Sequence, residues 1–231
     1  MSLLNLRSFA ALGGVTFVAL DAVAMFLPGP PPRASDSAHE IALALAEHRS
    51  EVLAGMFVAG LSLIALLAFL AAIDRRLGAG SNPRGWFTAA TGGALAGIAA
   101  QWVGLVLFYG ATFQVAAEHH DAIVRALTDG GNAAIELSKF GFATLIAGVC
   151  VAGRRVLSTR MLSAGLAAAA LLVTSAISLF STGSVTEFGG GLDIVGSIPA
   201  ILWLLALSVV LARAEAHGER APRTELAPSR P

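Results

Sequence analysis

The chain has 231 residues, of which 56% are hydrophobic and only 13% are charged, and its mean hydropathy is +0.75. Soluble domains carry about 25% charged residues, so this deficit is typical of a protein whose surface faces lipid. The formal net charge is zero and no run of cations forms a basic patch, which excludes nucleic acid as an expected partner.

The first apolar run covers residues 8–27 and ends where a proline-rich stretch begins at Pro28. Proline cannot continue a helix, so the run predicts a first membrane crossing that stops there. A cleaved signal peptide is the alternative, because Ala-Val-Ala at residues 22–24 resembles a cleavage site. Asp21 lies just before that site and is unusual in a signal sequence, which favours the crossing.

Residues 35–50 alternate acidic with aliphatic side chains. This pattern predicts a short amphipathic helix on the outer surface, with Ser35 or Asp36 as its N-cap. The helix leads into residues 52–73, which contain no charged side chain. Roughly 20 apolar residues cross a hydrocarbon core of about 30 Å, and such a run must be helical because lipid cannot satisfy backbone hydrogen bonds. We therefore expect the second crossing at 52–73.

The third crossing is predicted at residues 86–112. It contains Gly93 and Gly97, a pair of small residues one turn apart that lets two helix backbones approach closely. The pattern therefore predicts a helix-packing role for this pair. The outer loop that follows is expected to hold a short helix ending near Leu127, since Asp-Gly-Gly-Asn at residues 129–132 is typical of a break.

The remaining crossings are predicted at residues 133–153, 161–181 and 192–211. Residues 1–212 would then form a single six-helix transmembrane bundle. The tail at 213–231 is polar and contains proline, so we expect it to be disordered. The fold class is accordingly an all-α, polytopic membrane helix bundle.

The distribution of arginine predicts the orientation of the bundle, because cations concentrate in cytoplasmic loops. Three arginines fall in the predicted outer loops: Arg33, Arg49 and Arg125. The predicted inner loops hold Arg7, Arg75, Arg76, Arg84, Arg154, Arg155, Arg160 and the four arginines of the tail. Both termini are therefore expected in the cytoplasm of a bacterial cell, with the protein in the plasma membrane.

Four polar side chains lie at similar depth in the outer half of the predicted crossings: Asp21, Gln101, Glu136 and Lys139. An ionisable group in a spanning helix is costly and marks a candidate functional site. One hypothesis makes these residues a binding site for a small polar or zwitterionic solute. The alternative makes Asp21 and Lys139 a structural ion pair, with Gln101 as an interhelical hydrogen bond. Pairing of the two charges is expected under both hypotheses.

The outer face is predicted to carry an acidic rim that includes Glu47, Glu51 and Asp193. Histidines accompany these acids, and the weak candidates for a metal site are His48, His119 and His120. Their spacing is unlike that of a helical metal site, so we expect no metal and no other cofactor. The chain has no phosphate-binding loop, no G-x-S-x-G and no CxxC, which disfavours an enzyme.

Three stretches carry a resemblance to a known group: LGGVTFVALDAVAMFLPGPPP, SAHEIALALAEHRSEVLAGMFVAGLSLIALLAFLAAI and TDGGNAAIE. In layout and in these patterns the chain resembles uncharacterised bacterial, actinobacterial-type six-helix integral membrane proteins of unknown function. The resemblance covers most of the chain from Leu12 to Ala212. It implies a multipass bundle and assigns no substrate or catalytic residue.

Three hypotheses for function follow. The leading one is a small-solute binding or transport-like bundle whose polar pocket faces the outer side. The second is a structural or accessory subunit that packs against a membrane partner, or a second copy, through its small-residue faces. The third is an outward-facing membrane enzyme that uses the acidic and histidine rim. The lipid bilayer is an expected partner under all three.

Overall fold

The computed structural model describes residues 3–28, 36–78, 84–116, 118, 120–176 and 191–218. Within these residues the chain is helical between short turns and contains no strand. The helices in chain order are α1 (Leu3–Phe26), α2 (Ala38–Glu47), α3 (Arg49–Ile73), α4 (Arg84–Gly110), α5 (Asp121–Ala152), α6 (Thr159–Ser175) and α7 (Gly191–Gly218). A single π-helical turn follows α3 at Asp74–Gly78, and another follows α4 at Ala111–Val115. The predicted all-α class is confirmed for this part of the chain.

Four helical segments are long and apolar enough to cross a membrane: Arg49–Ile73, Gly85–Phe113, Asp121–Ala152 and Asp193–Arg213. They coincide with the second, third, fourth and sixth predicted crossings. The apolar segments Leu12–Phe26 and Thr159–Ser175, at the first and fifth predicted crossings, are shorter. The part of the chain that the structure describes thus has four candidate spanning helices, as in a multipass membrane protein.

Two predicted ends differ from the observed helices. α6 ends at Ser175, and residues 177–181 of the predicted fifth crossing lie outside the described residues. α7 continues to Gly218, so residues 213–218 of the predicted disordered tail are helical. Residues 219–231 lie outside the described part of the chain.

The predicted break at residues 129–132 is wrong, because α5 runs without interruption for 32 residues. The reason is close packing against α4. A Cβ atom added to Gly131 would lie 2.8 Å from the ring of Phe108 and 3.3 Å from the carbonyl oxygen of Gly104. A larger side chain does not fit at that distance. The glycine therefore serves the contact between two helices, and this contact outweighs its low helix propensity.

The same seam continues along the rest of α4 and α5. A Cβ added to Gly141 would lie 2.5 Å from both the carbonyl oxygen of Gly93 and the amide nitrogen of Gly97. One added to Gly148 would lie 2.7 Å from the Cβ of Ala90. The predicted packing role of the Gly93–Gly97 pair is confirmed, and its partner surface is the glycine face of α5. We call this contact the glycine seam.

The other helices assemble around a common core. α1 packs against α3 and α7, and α6 packs against both α5 and α7. Phe69 of α3, Ile146 of α5 and Leu207 of α7 are completely buried in this core. The indole Nε1 of Trp203, on α7, donates a hydrogen bond of 2.9 Å to the carbonyl oxygen of Met161, at the start of α6. These contacts fix α7 beside α6.

α2 is the predicted amphipathic helix, but its N-cap is Ser37 rather than Ser35 or Asp36. The Ser37 hydroxyl accepts a hydrogen bond of 3.2 Å from the amide of Glu40, and the Ser37 amide donates one of 2.7 Å to the Glu40 carboxylate. This reciprocal capping box satisfies two amides that a helix start leaves free. The apolar face of α2 buries Ile41 and Leu45 against Val124 of α5.

Hydrogen bonding by Ser37, chiefly from its backbone amide, holds the pKa of the Glu40 carboxyl below its usual value of 4.5. A lowered folded-state pKa means that the native state favours the ionised form. The contribution of this hydrogen bond to α2 is therefore fully present above about pH 4.5 and is lost as the pH falls through the lowered pKa.

Replacing Ser37 with alanine is expected to loosen α2 without unfolding the bundle. Loss of an N-cap side chain costs about 1 kcal/mol, which makes local opening roughly fivefold more frequent. Hydrogen–deuterium exchange should then be faster in residues 38–47 and unchanged in α3. Ser163→Ala is the control, because this hydroxyl bonds the Arg160 carbonyl within α6. Equal exchange of α2 in the wild type and Ser37→Ala would contradict the capping role.

Candidate functional site

A compact ion cluster joins α5 to α7. The Lys139 ammonium donates to both carboxylate oxygens of Glu136, at 2.8 and 2.6 Å, and to Oδ1 of Asp193, at 2.6 Å. The side chains of Glu136, Lys139 and Asp193 are only 2%, 6% and 14% exposed. Ser197 adds a hydroxyl hydrogen bond of 3.3 Å to Asp193. We refer to Glu136, Lys139 and Asp193 as the ion cluster.

Local helix geometry explains the contact between Glu136 and Lys139, two of the three residues of the ion cluster. Glu136 and Lys139 are three residues apart, so their side chains lie on one face of α5. Asp193 belongs to the first turn of α7 and is brought to Lys139 by tertiary packing. One turn further along α7, Gly196 lies so close to Ser175 that a Cβ could not be accommodated. Lys139 therefore reaches α7 close to the end of α6.

Pairing is required by the cost of burying charge. An ion removed from water loses several kcal/mol of solvation, which is recovered only with good geometry and filled hydrogen bonds. The ammonium group has three N–H donors, and the ion cluster offers it three carboxylate contacts within 2.8 Å. The Lys139 charge is thus compensated in place.

The structure brings together two of the four residues predicted at this depth. Glu136 and Lys139 meet, but the expected ion pair between Asp21 and Lys139 is not formed, because Lys139 bonds Asp193 instead. Asp21 lies half-buried on α1, which packs against α3 and α7. Gln101 is half-buried on α4, and no described hydrogen bond joins it to the ion cluster.

Asp193 was predicted only as part of the acidic rim. Its position in the first turn of α7, where the sixth crossing was predicted to begin, is the feature that could have marked it as a partner of Lys139. The other two rim residues, Glu47 and Glu51, are exposed, and Glu51 accepts a hydrogen bond of 3.0 Å from the Ser50 hydroxyl. They remain at the surface, apart from the ion cluster.

The candidate metal ligands are dispersed. His48 is exposed between α2 and α3, and His120 is exposed with its Nε2 atom 3.5 Å from Glu118. His119 lies outside the described residues. Among the residues that the structure does describe, no three His, Cys, Asp or Glu side chains are grouped so that they could hold a metal ion.

Two long-range contacts fasten α2 and the residue before its cap to the N-terminal end of α5. The Nδ1 atom of His39 lies 3.0 Å from a carboxylate oxygen of Asp121, and Arg125 donates a hydrogen bond of 2.6 Å to the Asp36 carbonyl. Arg125 also forms an ion pair of 2.8 Å with Asp129, one turn along α5. The N-terminal end of α5 is thus covered on one side by α2.

A surface cavity lies at the C-terminal end of α1 and is lined by Ala22, Val23, Phe26 and Leu27. Its lining is apolar, and none of the predicted site residues contributes to it. The ion cluster is therefore the arrangement in the described structure that best fits a polar ligand. A carboxylate of a solute could replace one of the two carboxylates at the buried ammonium. A cationic group of a solute could pair with the carboxylate released in this way.

Comparison with known proteins leaves the chain without a match: no family model, no curated protein and no solved structure matches it. The resemblance to actinobacterial-type six-helix membrane proteins accordingly stays a prediction.

Proposed function

We propose that the chain is a six-crossing protein of the bacterial plasma membrane that binds a small zwitterionic solute at the ion cluster, as a binding or transport-like bundle. Both termini are cytoplasmic and the ion cluster faces the outer side. The topology is supported by the bias of arginines toward the predicted inner loops. It is also supported by four helices that meet the requirements for crossing a membrane.

One observation carries the proposed chemistry: a buried ammonium lies between two carboxylates on different helices. A zwitterion presents one cationic and one anionic group. Its carboxylate can replace Asp193 or Glu136 at Lys139, and its ammonium can bind the carboxylate thus released. The exchange leaves every buried charge paired, so it avoids the cost of an isolated ion. A lone anion would add a third carboxylate to a single ammonium, whereas a zwitterion brings its own cation with its anion.

The location of the ion cluster suits such an exchange. Lys139 bridges α5 and α7 at the end of α6, so binding of a solute there would alter the link between two spanning helices. A conformational change follows only if the solute binds one arrangement of the helices more tightly than another. The Lys139–Asp193 bond supplies that difference, because it is the contact that a solute would break.

The test is a thermal-unfolding screen of the protein in lipid nanodiscs against zwitterions: the standard amino acids, γ-aminobutyrate and glycine betaine. A solute at about 100 times its Kd stabilises the bound state by about 2.7 kcal/mol. For a chain of this size that corresponds to a rise of roughly 5–10 °C in Tm. Acetate adds a negative charge to an ion cluster that already holds two carboxylates and one ammonium, so it should give a smaller shift.

Two variants make this screen specific. Asp193→Asn should abolish the ligand-dependent rise, whereas Glu118→Gln, which alters an exposed outer acid, should retain it. The proposal fails if no zwitterion raises the Tm of the wild type. It also fails if the rise is equally large in Asp193→Asn.

A second candidate function has its own supporting observation. All three donors of Lys139 are already used within the ion cluster, which favours a clamp that fixes α5 against α7 in a structural or accessory subunit. Under this alternative the ion cluster never opens, and the screen shows no ligand-dependent shift. Native mass spectrometry from nanodiscs should then detect a bound partner subunit or a second copy.

A further inference from the structure

Hydroxyl groups on the apolar helices of this protein usually bond to their own helix. Side chains at six positions donate to a backbone carbonyl three or four residues earlier: Ser62, Ser138, Thr144, Ser163, Thr174 and Ser175. This is the usual way to satisfy a hydroxyl where water is absent. The six residues therefore need no further partner.

Two buried threonines do not follow this pattern. Thr112 and Thr128 are 0% and 3% exposed, and among the described residues neither Oγ1 atom has a hydrogen-bond partner. The Oδ1 atoms of Asn132 and Asp121 are likewise buried and without a partner in the described structure. A buried polar atom of this kind is destabilising as long as it stays unsatisfied. Four of them on α5 and the π-helical turn beside it call for a ligand that the protein itself does not supply.

Three of these four atoms belong to one face of α5, and we refer to this row of side chains as the line. Asp121, Thr128, Asn132 and Glu136 are spaced by seven, four and four residues, so they share one face of α5. Their span of 15 residues is about 22 Å long, and successive members from Thr128 inward are about 6 Å apart. Thr112 belongs to the π-helical turn Ala111–Val115, which packs against α5. The line ends at Glu136 of the ion cluster.

The arrangement suits a particular ligand. Water molecules that hydrogen-bond one another at about 2.8 Å can connect polar side chains one helical turn apart, and buried waters commonly make about three such bonds. Water both donates and accepts, so it suits threonine hydroxyls, an amide oxygen and a carboxylate equally well. The outer end of the line is Asp121, whose other carboxylate oxygen holds His39 of α2.

We infer that Thr112, Thr128, Asn132 and Asp121 bind a chain of ordered water molecules that links the outer surface beneath α2 to the ion cluster. The chain gives water and protons access to Glu136 while the surrounding helices remain packed. It is a property of the empty protein, so it does not depend on whether a solute binds at the ion cluster.

Cysteine accessibility tests this water chain, because a thiol reacts with a charged methanethiosulfonate only where water ionises it. The background is Cys150→Ala, which removes the single native cysteine. Thr128→Cys and Asn132→Cys are then made separately, and a membrane-impermeant cationic reagent is added from outside. Both thiols should react at least tenfold faster than one placed by Ala143→Cys. That control position is 5% exposed and lies on the same face of α5, one turn beyond Lys139.

Only variants that elute as a single species in size-exclusion chromatography are compared. If one of the variants at positions 128 and 132 does not fold, the other is enough for the test. Glu118→Cys serves as the exposed outer reference. Labelling of Cys variants at 128 and 132 at the rate of the 143 variant would overturn the water chain. Labelling from the cytoplasmic side alone would overturn its connection to the outer surface. Neither result bears on the zwitterion screen, so the two proposals fail separately.

Discussion

Replacing Lys139 with methionine is expected to destabilise the protein strongly. The substitution leaves the Glu136 and Asp193 carboxylates buried near each other without the ammonium that both contact. Removing one partner of a buried ion pair costs about 3–5 kcal/mol. In a chain of this length the Tm should fall by roughly 6–20 °C. Thermal unfolding in nanodiscs, followed by circular dichroism, measures the shift.

A combined variant separates the loss of charge balance from the loss of the side chain itself. Glu136→Gln/Lys139→Met/Asp193→Asn removes all three charges, and such neutral replacements are often tolerated. It should recover most of the Tm lost by Lys139→Met. Arg154→Met alters an exposed cation in the turn after α5 and should change the free energy of unfolding by no more than about 0.5 kcal/mol. A triple variant no more stable than Lys139→Met would contradict the ion cluster as the cause.

Replacing Gly141 with alanine is expected to separate α4 from α5 at the tightest point of the glycine seam. The new Cβ would lie 2.5 Å from the Gly93 carbonyl oxygen and the Gly97 amide nitrogen, and backbone atoms cannot move aside as a flexible side chain can. Overpacking of this kind costs about 1–3 kcal/mol or more. The Tm should therefore drop by several degrees, measured as for Lys139→Met.

Gly92→Ala is the matched control for the glycine seam. Gly92 belongs to the same α4 helix, but a Cβ at this position would meet no atom within 4 Å. Alanine is the better helix former by about 1 kcal/mol, so this variant should be as stable as the wild type or slightly more stable. If Gly141→Ala and Gly92→Ala have equal Tm values, close approach of the two backbones is not what requires glycine at position 141.

Local composition was enough to predict most of the helices but not their continuity. The charge-free run at 52–73 predicts its own helix, and α3 contains it whole. The Asp-Gly-Gly-Asn stretch at 129–132 also has a clear local preference, yet it is helical within α5. Gly131 packs against α4, where the carbonyl oxygen of Gly104 lies close to it. A prediction from local sequence cannot include this contact, because the two glycines lie on different helices.

The ion cluster divides in the same way. Glu136 and Lys139 are three residues apart, so helical periodicity alone predicted that they share a face. The third member is 54 residues from Lys139, and depth in the membrane favoured Asp21 over Asp193 as the partner. The outcome depends on which helices are neighbours. α1, which carries Asp21, packs on α3 and α7, whereas α5, which carries Lys139, packs on α4 and α6 and reaches α7 through Asp193. Charge and depth restrict the candidates, and tertiary packing selects among them.

The length of α5 determines how the protein would respond to bilayers of different thickness. Its 32 residues extend about 48 Å, whereas a typical hydrocarbon core is about 30 Å thick. If Ala152 lies at the inner boundary, the outer boundary falls near Asn132, within the polar face of the helix. A membrane thicker by about 3 Å would submerge two further residues of the helix, which is about half a turn. Thr128 and Asn132, whose polar atoms are buried among the helices, would then lie nearer to the hydrocarbon core or within it, so the acyl-chain length of the host membrane would set how deep the ion cluster lies below the membrane surface.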